Sequence, residues 1–167
     1  RPTHEIVATI LAYLANSTEH NNAEKKFYSK VLQQMFLPEK LSKIMQPIEN
    51  MMHLAKSFKK KGYNVYLLSN LDTELFEILN KKHSDFFDIF DGKMISGTEK
   101  VGKPDPRFYI KLLEKYNLQP TDCIFIDDEP ENIKAACNLG IHGIVKTSFK
   151  SVCDDLQKIG IVKVVSE

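Results

Sequence analysis

The chain has 167 residues, of which 43% are hydrophobic and 27% are charged, and its formal net charge is +1. This length is typical of one domain that buries enough apolar surface to be stable without disulfide bonds or structural zinc. The balanced charge argues against a dedicated nucleic-acid-binding protein, which is usually distinctly basic. No apolar run reaches the roughly 20 residues that cross a membrane. We therefore expect a cytoplasmic protein that binds neither nucleic acid nor membrane.

The three cysteines, Cys123, Cys137 and Cys153, lie in apolar or helical stretches and lack a Cys-x-x-Cys spacing. Small buried thiols explain them better than a redox or metal site does. Unpaired thiols indicate a reducing compartment, which agrees with the cytoplasm.

The first part of the chain predicts helices only. Between residues 3 and 61, apolar side chains recur at the spacing of one helix face. A polar stretch at 16–22 separates the first helix from the second. A third helix is expected to begin near Pro47 and to end at Gly62.

From residue 63 onward, β-rich apolar runs alternate with amphipathic helical segments. The predicted strands are 63–68, 93–96, 122–126, 142–145 and 161–165, and the predicted helices are 73–82, a segment after Pro106, 132–138 and 151–158. Apolar strands separated by helices indicate an α/β fold with a parallel sheet that helices cover on both faces. In such folds, ligands bind beyond the carboxyl ends of the strands.

Ser69 and Asn70 follow the first predicted strand. A hydroxyl and a backbone N–H at the junction of a strand and a helix suit a phosphate oxygen. Capping of the next helix explains the same residues, together with Asp72, because Ser, Asn and Asp are preferred at helix N-termini. Both interpretations stay open at this point.

Four carboxylates, Asp127, Asp128, Glu129 and Glu131, and then Asn132 follow the strand predicted at 122–126. Like charges so close together raise one another's pKa unless a cation is near. Ligands that offer only oxygen indicate Mg²⁺, which takes one or two carboxylates and keeps several waters. An acidic first helical turn explains the two glutamates without a metal, but it explains the two aspartates poorly.

Lys103 lies between these two strand ends in the chain. Pro104 and Pro106 restrict the backbone and disfavour helix at the residue before each of them, so the lysine is expected on a rigid turn. An ammonium placed there would balance the acidic residues and bind a phosphate. An ordinary loop lysine is the alternative.

Three segments occur in order along the chain: Leu67-Leu68-Ser69-Asn70, Gly102-Lys103-Pro104-Asp105-Pro106 and Ile126-Asp127-Asp128-Glu129-Pro130-Glu131-Asn132. Together they resemble the second, third and fourth motifs of the haloacid dehalogenase superfamily, nearer its phosphatase branch. Each segment alone is a weak signal, and the set is specific. The resemblance covers about residues 47–147.

The resemblance implies a Rossmann-like α/β core, a parallel sheet flanked by helices, over residues 47–167. It implies a small helical cap over residues 1–46 that selects the substrate and excludes water. The implied activity is a Mg²⁺-dependent phosphatase of a small phosphorylated metabolite, which works through an aspartyl-phosphate.

The family motifs also imply roles for single residues. Ser69 and the backbone of Asn70 would bind the phosphoryl oxygens. Lys103 would bind the phosphate and neutralise charge on the nucleophile, which makes Lys103 and Ser69 the catalytic candidates in this sequence.

The last motif implies the metal site. Asp128 would ligate Mg²⁺ directly, and Asp127 would be a hydrogen-bonding neighbour. Asn132 would contact the ion through a bound water.

The first motif of the family, Asp-x-Asp, supplies the nucleophile and the general acid/base, and these 167 residues contain no Asp-x-Asp. In the family, the strand that carries it lies between the strands that end here at Ser69 and Asp127. Several unpaired backbone groups along such a gap would cost about 1–3 kcal/mol each. We therefore expect these residues to be a portion of a longer polypeptide, unless residues 161–165 or a partner's strand fill the gap.

Two other functions are compatible with the resemblance. A metal-independent 2-haloacid dehalogenase has the same fold, but the acidic segment after Ile126 disfavours it. A catalytically inactive binding module agrees with the missing first motif.

Overall fold

The structure is a computed structural model that describes residues 10–13 and 15–161, without the side chain of Gln33. The chain divides into two compact units after Lys100. The predicted boundary between cap and core after residue 46 stays a prediction.

The helices of the first unit are α1 (Asn22–Met35), α2 (Pro38–Ile44), α3 (Glu49–Lys60), α4 (Thr73–Lys82), α5 (Ser84–Phe87) and α6 (Ser96–Glu99), and its strands are β1 (Tyr66–Ser69) and β2 (Gly92–Ile95). As predicted, a helix begins after the polar stretch near residue 20. Asn21 caps α1: its side chain accepts the Glu24 backbone N–H, and the Glu24 side chain accepts the Asn21 backbone N–H. Gly62 follows α3 with a φ of +86°, a conformation that suits glycine after a helix end.

The helices of the second unit are α7 (Pro106–Lys115), a 3₁₀ turn (Pro120–Asp122), α8 (Pro130–Cys137) and α9 (Phe149–Lys158), and its strands are β3 (Ile124–Asp127) and β4 (His142–Val145). Asp105 caps α7 by accepting the Arg107 backbone N–H, and Pro106 fills the first helical position, where its missing N–H costs nothing.

The strands pair in parallel within each unit. β1 pairs with β2, which places Ser69 opposite Ile95, and β3 pairs with β4, which places Asp127 opposite Val145. The predicted α/β fold with parallel strands and flanking helices is confirmed. Among the described residues, the four strands form two sheets of two strands each.

The core of the first unit joins the helical segment to the strands. Leu75, Leu79 and Phe87 are buried, and Leu41 of α2 packs against them. Lys82 Nζ donates to the Ser42 carbonyl at 2.7 Å, which satisfies a carbonyl near the C-terminal end of α2. Helix α2 is therefore held against α4.

The core of the second unit is centred on α7 and α9. Its most buried side chains, each at most 1% exposed, are Phe108, Tyr109, Ala136, Val152 and Leu156. Helix α8 approaches β4 closely, because a Cβ at Gly143 would lie 2.6 Å from Ile133 Cγ2.

Most of the predicted elements are confirmed, and the helix 73–82 and the strand 142–145 have the predicted bounds. The predicted strand at 161–165 lies beyond the described residues, apart from Ile161. The expectation of three buried thiols is wrong: Cys137 is exposed, because it is the last residue of α8, and Cys123 and Cys153 are half-buried. None of the helices described here combines the length and the apolar character that a membrane span requires.

Candidate functional site

A buried carboxylate ends strand β3. Asp127 is 7% exposed, and both of its carboxylate oxygens accept hydrogen bonds. Lys103 Nζ donates to Oδ2 at 2.6 Å, while Asn132 Nδ2 and the Glu129 backbone N–H donate to Oδ1 at 2.9 Å each. A loop lysine, a strand end and the start of α8 therefore meet at one side chain.

The hydrogen bonds decide the charge of Asp127. Burial raises its pKa, but the bonds from Lys103, Asn132 and the Glu129 amide lower it more, so the net pKa lies below the usual value. The carboxyl is thus ionised at neutral pH, and Lys103 is the cation that balances it. A buried charge is tolerated only when it is paired in this way.

The segment from Gly102 to Pro106 forms a turn that carries Lys103, as predicted. The Lys103–Pro104 peptide bond is cis, and the Asp105 N–H donates to the Gly102 carbonyl at 3.0 Å. The Lys103 ammonium lies 5.6 Å from the centre of the Phe125 ring. An ammonium over an aromatic face is attracted by the ring's negative potential.

Two residues that the motif analysis did not single out complete this cluster. Tyr109 is fully buried on α7, and its hydroxyl donates to the Asn132 carbonyl at 2.9 Å. Its ring meets Phe125 edge to face, with 5.4 Å between the centroids. Neither residue belongs to a polar motif, so their proximity to Lys103 and Asp127 becomes visible only in the fold.

The other acidic residues after β3 have a different environment. Asp128, Glu129 and Glu131 are exposed, and Glu131 lies in the first turn of α8, where a negative charge is favourable. In the described part of the chain, the Asp128 carboxylate has neither a hydrogen bond nor an ion pair. It is therefore open to a ligand, whereas Asp127 is not.

The donor set fits Mg²⁺ only in part. Across residues 10–13 and 15–161, no group of three or more His, Cys, Asp or Glu side chains is placed to hold a metal ion. One open carboxylate at Asp128, with the Asn132 amide nearby in the chain, matches an ion that keeps waters and takes phosphate oxygens. Among the described residues, Asp128 thus offers one carboxylate to a metal ion, and no complete metal site is formed.

The residues after β1 show which side chain caps the next helix, α4. Asp72 is the N-cap of α4, and its carboxylate accepts the Glu74 backbone N–H at 2.9 Å. The N-cap of α4 is thus Asp72 rather than Ser69 or Asn70. Ser69 is half-buried and Asn70 is exposed.

The turn after β1 is fixed by the residues that follow β2. The Leu71 carbonyl accepts the Gly97 N–H at 2.9 Å and the Ser96 hydroxyl at 3.1 Å. A Cβ at Gly97 would lie 2.5 Å from the Thr73 backbone nitrogen, so only glycine allows this approach. The backbone beyond Ser69 is therefore held in one conformation.

Comparisons with known proteins show the family of this chain. A family model described as haloacid dehalogenase-like hydrolase matches residues 7–140. The sesquiterpene phosphatase astK of Aspergillus oryzae is 31% identical over 115 residues, which are 69% of this chain and 58% of that protein. Flavin mononucleotide hydrolase 1 of Arabidopsis thaliana is 42% identical over 59 residues, 35% of this chain and 24% of that protein. The matched part of this chain thus spans little more than half of the length of astK and about a quarter of the length of the Arabidopsis hydrolase.

A solved structure has a similar fold. It is an aspartate-to-alanine mutant of a HAD family enzyme from Bacteroides thetaiotaomicron, in complex with magnesium and inorganic phosphate. The TM-score is 0.57 at 25% identity, and the match covers 65% of this chain and 58% of that chain. Magnesium and phosphate thus occur together in a protein with this fold.

Proposed function

The chain belongs to the haloacid dehalogenase-like hydrolase family, and from that premise we propose that it is part of a Mg²⁺-dependent phosphatase of small phosphorylated metabolites. One observation carries the proposal: Lys103, Asp127 and Asn132 are joined by hydrogen bonds at the carboxyl end of β3, next to the exposed Asp128. Phosphatases among the relatives support the reaction class.

Lys103 binds and neutralises the phosphoryl group in this proposal. Its side chain is 12% exposed, and its ion pair with Asp127 fixes the position of the ammonium. A cation that is already in place stabilises the charge that develops in the transition state without reorganisation. Ser69 and the Asn70 backbone N–H would donate to phosphoryl oxygens, since both follow a strand and precede a helix.

Asp128 and Asn132 would hold the metal ion, Asp128 by its carboxylate and Asn132 through water. When bound, Mg²⁺ supplies positive charge to the phosphoryl oxygens. Asp127 stays paired with Lys103 and orients the Asn132 amide, since its own oxygens are occupied.

The nucleophile comes from outside these 167 residues in this proposal. An aspartate attacks phosphorus, the ester oxygen leaves with a proton from an acid, and water then releases phosphate from the aspartyl-phosphate. The absence of Asp-x-Asp from the sequence supports this view. We also propose the cytoplasm as the location, in keeping with three free cysteines.

The test is phosphate release from an aryl phosphate by the polypeptide that the complete gene encodes. We expect turnover with Mg²⁺, loss of turnover in EDTA, and at least about a hundredfold loss in Lys103→Met, because a preorganised charge is removed. Lys134→Met is the matched control, since Lys134 is an exposed lysine of the same unit. Turnover that persists in EDTA would overturn the proposal.

An inactive binding module is the second candidate, because the missing Asp-x-Asp favours it. The complete polypeptide would then bind inorganic phosphate without releasing it from any ester. Halide release from a 2-haloacid in EDTA would instead indicate the metal-independent dehalogenase.

A further inference from the structure

We propose that Tyr109 is a positioning residue for the site at the end of β3, through its contacts with Asn132 and Phe125. It fixes the start of α8 and the ring over which the Lys103 ammonium lies. The inference rests on the proposed function of that site, because it concerns how the phosphate-binding lysine is held. Tyr109 itself touches neither phosphate nor metal in this proposal.

The first contact controls Asn132. The Tyr109 hydroxyl donates to the Asn132 carbonyl at 2.9 Å, and the Asn132 amide donates to Asp127 Oδ1 at 2.9 Å. One residue of α8 therefore receives a bond on its backbone from α7 and gives a bond from its side chain to β3. A shift of that backbone would move the amide away from Asp127.

The second contact controls Lys103. The ring of Tyr109 meets Phe125 edge to face at an interplanar angle of 90°, and the Lys103 ammonium lies 5.6 Å from the centre of the same Phe125 ring. Phe125 lies two residues before Asp127 on β3. Tyr109 thus acts on the Lys103–Asp127 pair through two neighbours. It donates a hydrogen bond to Asn132, which contacts Asp127, and it packs against Phe125, which contacts Lys103.

A purely structural role for Tyr109 makes a different prediction. A buried tyrosine hydroxyl needs an acceptor, and many backbone carbonyls could serve. Burial, and next the charge of Asp127, raise the pKa of Tyr109, so the hydroxyl keeps its proton and remains a donor. If the bond only satisfies the hydroxyl, then its removal affects stability and leaves the Lys103–Asp127 pair in place.

The experiment compares Tyr109→Phe with the wild type, both as the polypeptide that the complete gene encodes. Calorimetry at a temperature well below unfolding measures the affinity for inorganic phosphate in Mg²⁺, and NMR follows the Lys103 side-chain resonances, which the Phe125 ring current displaces. We expect the variant to stay folded and to bind phosphate about fivefold more weakly, the effect of one neutral hydrogen bond. The Lys103 resonances should shift as the ring and the ammonium change their relative positions.

Two further variants separate the contacts. Phe125→Leu removes the ring and keeps an apolar side chain, so it should also shift the Lys103 resonances and weaken phosphate binding. Tyr116→Phe is the control, because Tyr116 is a tyrosine of the same unit that follows α7 directly. It should change neither readout.

The outcomes distinguish the two proposals. If the complete wild-type polypeptide binds phosphate and its Tyr109→Phe variant binds phosphate equally well with unchanged Lys103 resonances, then the positioning role is wrong and the proposed function stands. If the complete wild-type polypeptide does not bind phosphate, then the proposed phosphate-binding function fails, and the positioning role fails with it.

Discussion

Each unit contains a lysine–aspartate pair at one end of its two-stranded sheet, and the two pairs differ in environment. Asp91 precedes β2 and pairs with Lys59 of α3, where the two side chains are 29% and 36% exposed. Asp127 ends β3 and pairs with Lys103, where the exposures are 5% and 12%. The first pair lies at the amino ends of parallel strands and the second at a carboxyl end.

The hydrogen bonds show what each pair does. Asp91 also accepts the Val65 N–H at 2.7 Å, and its own N–H donates to the Val65 carbonyl at 2.8 Å, so it closes the start of the β1–β2 sheet. Asp127 instead collects donors from a loop and a helix at the end where α/β proteins bind ligands. The same two residue types thus serve a structural clamp in one unit and a candidate site in the other.

Removal of the buried lysine gives the largest expected effect. Lys103→Met leaves the Asp127 carboxylate buried and unpaired, which should lower the free energy of unfolding by about 3–5 kcal/mol. Urea unfolding followed by circular dichroism measures the loss. The double variant Lys103→Met with Asp127→Asn should recover much of it, because neither charge remains. Additive losses would contradict the interpretation of a coupled buried pair.

Two glycine-to-alanine variants, one in each unit, test how closely the neighbouring groups are packed. In Gly97→Ala, the new Cβ meets the backbone of Thr73, which cannot move without the start of α4. In Gly143→Ala, it meets the side chains of Ile133 and Cys137, which can adjust. We expect a loss of about 3 kcal/mol for the first and about 1 kcal/mol for the second, within the usual range for overpacking. Equal losses in thermal unfolding would show that α8 is as rigid as the backbone at Thr73.

Acid should weaken both lysine–aspartate pairs, whereas added salt should weaken mainly the exposed pair of Lys59 and Asp91. For Asp91 the Lys59 hydrogen bond lowers the pKa most, and for Asp127 its hydrogen bonds outweigh the raising effect of burial, so both lie below the usual 3.8. A lowered pKa stabilises the fold above the unfolded value, and this stability is lost as pH falls through the folded value. Unfolding should therefore become easier below about pH 4.

The variants Asp91→Asn and Asp127→Asn should each flatten this acid dependence. At about 1 M salt, screening should remove most of the contribution of the exposed Asp91 and little of that of Asp127. Urea unfolding at pH 3 and pH 7, with and without salt, gives the comparison. A salt effect of the same size in both variants would contradict the difference in burial.

The sequence predicted the strand ends better than it predicted the contacts between them. The alternation of apolar strands and helices located β3 and the acidic residues after it, and the prolines around Lys103 predicted a turn. Two features escaped it. Asp127 is buried and Asp128 is exposed, but nothing in the sequence distinguishes the two. Adjacent side chains at a strand end point to opposite faces of the sheet, and which face is buried depends on where the helices pack.

Asp91 shows the same limit from the other side. The sequence contains no motif that marks Asp91 as a structural or functional residue. The clamp depends on Lys59, which is 32 residues away in the chain. Such a contact depends on how α3 packs beside the strands, and local patterns carry no information about it.

The exposed pair gives the smallest expected effect. In Lys59→Met, Asp91 keeps its bond to the Val65 N–H and remains accessible to water, so the free energy of unfolding should fall by only about 0.5 kcal/mol. Asp91→Ala should cost more, about 1–3 kcal/mol, because the Val65 N–H loses its acceptor at the start of β1. Urea unfolding of the two variants separates the ion pair from the backbone clamp. A loss in Lys59→Met as large as that in Lys103→Met would mean that exposure does not distinguish the two pairs.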